Sequence, residues 1–328
     1  MQSDPLQRAV QLCAADMDEV NRCIVDNLQS DIVMIPAIGQ YIINSGGKRL
    51  RPLISLLIAQ LFGYRGSRHI MLATVIEFIH TASLLHDDVV DGARERRGEP
   101  SANGVWGNQA SVLVGDYLFS RSFQMMVEAG DLMLLKVMSD VTNALAEGEV
   151  LQLSRTFHLE MTEAECLEVI ERKTAVLFRA AAEVTASVAG QESAVFARVS
   201  EYGMCLGVAF QLMDDALDYS AEGSVAGKPV GHDLEEGKIT LPLIFAMRED
   251  RELRQRVEEI ADRDGYQDGD REWVRERVRR LHGAEQTVER AYDYAQRAVR
   301  ALQEVEGSNS EIRELLQQLA LFAAQREY

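Results

Sequence analysis

Apolar positions recur along this chain at the three- and four-residue spacing of a helix face, from near its start to its end. Strand-like alternation bounded by hairpin turns is absent, so the pattern predicts an all-α protein. The predicted helices cover 5–28, 31–44, 50–62, 67–91, 110–129, 131–153, 162–190, 193–219, 240–248, 251–262, 269–281, 284–304 and 309–326, with boundaries good to about 2–4 residues. The breaks between them carry turn chemistry: Ser45-Gly46-Gly47, Gly63 to Ser67, Gly92 to Gly107 and Glu222 to Gly237. Two of these breaks begin directly after clusters of aspartate. The longest apolar run, Leu53 to Phe62, is interrupted by Ser55 and Gln60 and reads as a core helix. No stretch approaches the roughly 20 apolar residues of a membrane span. The segment 249–281 is highly charged and is expected on the surface, away from any chemistry.

Composition narrows the class. With 328 residues, 47% of them hydrophobic, the chain can bury one large core, and it is read as a single domain over 1–328. Pro totals only 6 against long stretches of Ala, Leu, Glu, Gln and Arg, which lose little rotamer freedom in a helix. A formal net charge of −18 argues against nonspecific affinity for nucleic acid or an anionic membrane, so an anionic substrate must be met by local cations. Cys13, Cys23, Cys166 and Cys205 form neither a CxxC pair nor a disulfide framework, and the first residues lack a basic region followed by an apolar run. A reducing, cytoplasmic setting is expected.

The chemistry concentrates in two clusters. Leu84-Leu85-His86-Asp87-Asp88-Val89-Val90-Asp91 ends one apolar helical segment, and Gln211-Leu212-Met213-Asp214-Asp215-Ala216-Leu217-Asp218 ends another. Asp87 and Asp91 are four residues apart, about 40° around a helix, and Asp214 and Asp218 repeat the spacing. Paired carboxylates at a helix C-terminus repel each other and oppose the helix dipole, so a cation must offset the cost. A single DDxxD reads as a solvated helix end. Two of them, each preceded by apolar helix, point instead to hard-oxygen ligands for Mg²⁺ shared with substrate phosphates. Glu77-Phe78-Ile79-His80 is an ExxH, the ligand pair of di-iron carboxylate bundles, but such sites need two pairs and there is one. His80 lies seven residues before Asp87, on nearly the same face two turns away, where it could reach a second substrate.

Basic residues sit where an anion would. Gly46-Gly47-Lys48-Arg49-Leu50-Arg51-Pro52 opens a helix, Arg94-Glu95-Arg96-Arg97-Gly98 follows the first cluster, and Lys173-Thr174, Lys228 and Lys238 are further candidates. Helix-start N–H groups and Arg forks both suit phosphate. Each basic residue alone reads as ordinary surface charge; paired with the aspartates they suggest acids for metal and bases for diphosphate.

In order along the chain, GGKRLRP, HDDVVD, RRG, Gly115-Asp116, Lys173-Thr174, QLMDD and GKPVGHDLEEGKITLP resemble the trans-polyprenyl diphosphate synthases over residues 40–245. EFIHTASLLHDDVVD, ASVLVGDYLFSRSFQMM and AEGEVLQL are most similar to the bacterial octaprenyl members. The resemblance implies the isoprenoid synthase fold, an all-α bundle of long helices around a deep central cavity, in a homodimer with the two aspartate motifs facing each other. It implies that Asp87, Asp91 and Asp214 ligate Mg²⁺, three ions per site, with Asp88, Asp215 and Asp218 orienting ligands or water from behind. Lys48, Arg51, His80 and Arg97 match the isopentenyl diphosphate binders; Arg96, Lys173, Thr174, Gln211, Lys228 and Lys238 match the grip on the allylic diphosphate. Ionisation of the allylic ester, attack by the isopentenyl double bond and proton loss would lengthen the chain with no protein nucleophile. Farnesyl diphosphate as primer and an eight-isoprene product for quinone side chains are expected, with peripheral membrane contact for product release.

Chain length is expected to depend on Ala82 and Ser83 just below Asp87, on Ile76 deeper on that helix, and on Phe119, Phe123 and Met126 as floor. A class I terpene cyclase, the rival enzyme, would have no use for Lys48, Arg51 and Arg97, and a non-catalytic partner subunit would carry a damaged aspartate motif.

Overall fold

The computed structural model describes residues 4–44, 47, 49–96, 98–220, 231–263, 267, 269–305 and 309–325. The helices are α1 (Pro5–Leu12), α2 (Ala14–Asn27), α3 (Met34–Asn44), α4 (Leu50–Leu61), α5 (Arg68–Val90), α6 (Ala102–Trp106), α7 (Asn108–Glu128), α8 (Leu132–Ser154) and α9 (Glu163–Ile170). A π-turn over Glu171–Ala175 leads into α10 (Val176–Val188), followed by α11 (Ser193–Ser220), α12 (His232–Glu235) and α13 (Leu241–Glu249). The rest are α14 (Arg251–Asp262), α15 (Asp270–Arg280), α16 (Gly283–Gln303) and α17 (Ser310–Ala323). Among the described residues the strands are only β1 (Glu95–Arg96) and β2 (Glu99–Pro100), an antiparallel pair with Glu95 opposite Pro100. All-α is therefore the observed class.

Local chemistry explains several boundaries. Pro5 and Pro242 stand in the first turns of α1 and α13, where a missing N–H costs nothing. Thr162 and Glu165 form a reciprocal capping box at the start of α9: Thr162 Oγ1 accepts from the Glu165 N–H at 3.3 Å and the Thr162 N–H donates back at 2.9 Å. The predicted helix over 5–28 is instead two, parted at the fully buried Cys13, whose φ of −98° and ψ of 9° leave the helical well. No breaker residue marks that site, which is why the pattern ran straight through it. The predicted helix over 162–190 is likewise α9, π-turn and α10.

The chain forms two compact units interleaved in sequence. One comprises Met1–Thr142, Leu177–Gly203 and Val299–Leu319; the other comprises Asn143–Val176, Met204–Ala298 and Ala320–Tyr328. In the first, α4 is buried almost throughout, and its Ser55 is satisfied by donating to the Ala181 carbonyl at 3.2 Å. Burying each Leu, Ile or Phe of such a helix contributes about 1.5–3 kcal/mol. By length and composition α5 could cross a membrane, contrary to the expectation that no segment comes close, but most of it is buried among the other helices as a core helix is.

In the second unit Val208, Leu212, Tyr219, Leu243 and Ile244 pack in one cluster with Leu253, Val257, Ile260, Val274 and Val278 of α14 and α15. The charged segment 249–281 therefore contributes a buried stripe.

Candidate active site

Half of the predicted site lies in the first unit. Asp87 occupies the last turn of α5 and Asp91 caps it, its N–H bonded to the Asp87 carbonyl at 2.8 Å; both side chains are half-buried. Asp88 between them is 1% exposed and faces the protein. It accepts a forked pair from Arg96, Nε to Oδ1 at 2.9 Å and Nη2 to Oδ1 at 2.6 Å, with Nε also 3.0 Å from Oδ2. The β1–β2 hairpin turns Arg96 back toward α5, and Asn103 donates to the Asp88 carbonyl at 3.0 Å.

Arg51 and His80 are brought together: Arg51 Nη1 lies 3.0 Å from His80 Nε2, and the guanidinium sits 4.6 Å over the Phe178 ring. Lys48 and Arg97 lie outside the described residues.

His86, beside Asp87, buckles α5 to α7. Its Nε2 is 3.1 Å from the Val112 carbonyl and 3.4 Å from Asp116 Oδ1, and its ring stacks on Phe119 at 5.8 Å. Gly115 makes this possible, because a Cβ there would stand 2.3 Å from Nε2. The helices run antiparallel, with Arg68 at the start of α5 paired to Asp131 beyond the end of α7 at 3.6 Å.

Product-length residues divide accordingly. Ser83, Phe119 and Phe123 keep accessible surface, and Ser83 Oγ donates to the His80 carbonyl at 2.8 Å. Ile76, Ala82 and Met126 are fully packed core. Ala82 lies about 140° from Asp87 around the helix, and the wheel angle that placed Ile76 on the Asp87 face cannot tell an open face from a filled one. Phe119, expected in the floor, stands beside the aspartate motif.

The other half lies in the second unit, at the end of α11. Asp214 is half-buried and Asp215 is 4% exposed. Thr174 Oγ1 donates to Gln211 Oε1 at 3.0 Å, and Gln211 Nε2 donates to Asp215 Oδ1 at 2.8 Å. Burial, with the Asp214 and Asp218 charges, raises the Asp215 carboxyl to about 7 against the opposing Gln211 hydrogen bond and Lys238 charge. Burial also pushes Asp233 well above the usual carboxylate range, reinforced by Asp218 and Asp215.

Asp218 binds backbone rather than a side chain: Oδ1 accepts from the Gly231 and His232 N–H groups at 3.1 and 3.2 Å, and Oδ2 from the Asp233 N–H at 3.1 Å. This anchors α12, after which the Lys238 N–H donates to the Asp233 carbonyl at 2.8 Å and its ammonium pairs with Glu236. Lys228 lies outside the described residues.

Lys173 and Thr174 sit on the π-turn, and Lys173 Nζ donates to Glu149 Oε2 of α8 at 2.6 Å. Segment 249–281 is less remote than expected, since Arg271 of α15 pairs with Glu235 and lies with Arg275 against Gly231.

Sequence reasoning passed over Glu149, Asp233 and the His86–Asp116 contact. The strings AEGEVLQL and Gly115-Asp116 were the available signals, but spacing alone gave them no role.

Among the described residues no three His, Cys, Asp or Glu side chains converge on a point that could hold a metal by themselves. Two carboxylates on one helix turn do fit Mg²⁺, which takes one or two protein carboxylates and completes its octahedron with water and phosphate oxygens.

Residues 33–278 match the polyprenyl synthetase family model. Octaprenyl diphosphate synthase of Escherichia coli (strain K12) is 45% identical over 322 residues, 98% of this chain and 99% of that one. Of solved structures, a polyprenyl synthase from Caulobacter crescentus CB15, complexed with calcium and isoprenyl diphosphate, superposes with a TM-score of 0.94 at 43% identity over 99% of both chains. A decaprenyl diphosphate synthase from Rhodobacter capsulatus superposes with 0.91 at 40% identity, covering 97% of this chain and 98% of that one.

Proposed function

The chain belongs to the polyprenyl synthetase family, and from that premise we propose that it extends farnesyl diphosphate with isopentenyl diphosphate to the eight-isoprene product, as a quinone side-chain precursor. It is a trans-polyprenyl diphosphate synthase of the long-chain kind, with the all-α isoprenoid synthase fold. The observation that carries the chemistry is that each aspartate cluster has a cation of the predicted grip close by: Arg96 on Asp88, and Lys238, whose charge acts on Asp215 beside the Thr174–Gln211 hydrogen bond.

In this reading Asp87, Asp91 and Asp214 hold three Mg²⁺ per site, which when bound neutralise the departing diphosphate. Arg96, Lys173, Thr174, Gln211, Lys228 and Lys238 grip the allylic diphosphate, and Lys48, Arg51, His80 and Arg97 hold isopentenyl diphosphate. As the allylic carbon–oxygen bond breaks, negative charge grows on the leaving oxygens, so Arg96 and Lys173 stabilise the transition state more than the bound ester. The isopentenyl double bond then attacks the allylic carbon, and the proton lost to form the new alkene passes to the released diphosphate. The Arg51–His80 contact gives the second diphosphate a site of its own, which favours chain extension over terpene cyclisation. The chain acts as one functional domain, since the family match runs through both interleaved units, and as a homodimer.

Incubation of the purified protein with farnesyl diphosphate, isopentenyl diphosphate and Mg²⁺ should yield one dominant product of eight isoprene units by mass spectrometry. A cyclic hydrocarbon, or no extension past three units, would refute the assignment.

A further inference from the structure

Lys173 stands on a built platform. Lys173 and Thr174 are consecutive, yet Lys173 bonds to Glu149 on α8 at 2.6 Å and Thr174 to Gln211 on α11 at 3.0 Å. The π-turn over Glu171–Ala175 inserts an extra residue into the helix, re-aiming these side chains without displacing α9 or α10. Across from it α8 reads Glu147-Gly148-Glu149: Glu147 pairs with Arg172, Glu149 with Lys173, and Gly148 lets the backbones meet between them. A Cβ at Gly148 would lie 2.9 Å from both the Lys173 nitrogen and the Arg172 Cβ.

We propose that Glu149 is a positioning residue for the reaction, holding the Lys173 ammonium where the allylic diphosphate arrives; this rests on the reading that Lys173 grips that diphosphate. The side chains of the pair are half-buried, 19% and 31% exposed, so the pair is not sealed into the core. What it can supply is orientation. A lysine side chain samples many rotamers, and confining it at the moment of binding weakens substrate affinity, whereas confining it beforehand does not. An ammonium carries three donors, so a bond to Glu149 is compatible with others to phosphate oxygens. Glu149 also keeps a compensating charge beside Lys173 before the diphosphate binds. The same arrangement recurs at the other predicted allylic grips, Arg96 on Asp88 and Lys238 on Glu236.

The test is a double-mutant cycle of E149Q and K173A, read as the KM of each substrate and as calorimetric binding of farnesyl diphosphate alone. E149Q keeps size and an acceptor, so it should fold and melt as the parent does. Its allylic KM and farnesyl diphosphate Kd should rise about tenfold, the loss expected for one charge-assisted hydrogen bond, with the isopentenyl KM unchanged. E149Q/K173A should be no worse than K173A. If K173A weakens the allylic substrate but E149Q does not, or if the two effects multiply, Glu149 does not act through Lys173 and the proposal fails alone. If K173A leaves the allylic substrate untouched, the reading of Lys173 falls and takes this role with it.

Discussion

Asp87 and Asp88 are neighbours in sequence with different surroundings. A step of one residue turns the side chain by about 100°, enough to leave Asp87 half-buried while Asp88 is 1% exposed and locked to Arg96. Asp215 and Asp218 are engaged in the same way, on Gln211 and on the backbone of 231–233. Asp87 and Asp214 are half-buried and keep accessible surface, so removing either should act on chemistry more than on folding. We expect Asp87→Ala and Asp214→Ala each to lower turnover by at least ~10³-fold, roughly 4 kcal/mol of transition-state stabilisation, with circular dichroism and melting temperature preserved. Near-parental turnover in either folded variant would remove that residue from the metal set.

At the level of elements, α5 and α7 set what the growing chain meets below the aspartates. Ser83 lies one turn before Asp87, about 40° around the helix, and its hydroxyl is turned onto the His80 carbonyl, so it offers little bulk. Phenylalanine at this half-buried position would project a ring toward the packing of α5 against α7, where Phe119 and Phe123 keep accessible surface. Ser83→Phe should shift the product to three or four isoprene units with consumption of the allylic substrate retained; an unchanged distribution would show that the chain does not pass Ser83.

The helices themselves were legible, because a buried face repeats every three to four residues and Pro and Gly punctuate it. Three features were not. The break at Cys13 has no breaker residue, the Glu95–Pro100 hairpin is too short to alternate, and the π-turn at Lys173 leaves the periodicity of 162–190 intact. The motif residues were readable as types, but the partner that holds each one is a tertiary fact. Glu149 had no role in the sequence until the π-turn placed Lys173 against α8. Ile76 and Ala82 are fully buried, a tertiary fact that their spacing from Asp87 does not carry.

For the whole molecule, a formal charge of −18 and a set of exposed apolar side chains pull in opposite directions. Leu113 and Val127 of α7 are 67% and 63% exposed, and Leu132 and Met133 at the start of α8 are 81% and 60% exposed. Two acidic chains approach each other only if burial of apolar area outweighs their repulsion, and a stable pair buries about 1,200–2,000 Å² in total. In the homodimer we propose, these side chains would lie at the interface, with a consequence for chemistry. Leu113 projects from the same turns of α7 whose Val112 carbonyl and Asp116 carboxylate hold His86 next to Asp87. A partner covering Leu113 would hold that buckle from behind. We expect sedimentation of the parent at twice its 36.6 kDa chain mass, and of the double variant L132E/M133E as a folded monomer with lowered turnover, since α7 would then lose its support. A parent that sediments as a monomer at micromolar concentration would overturn the dimer, and a fully active monomeric variant would show that the aspartate motif needs no support from a second chain.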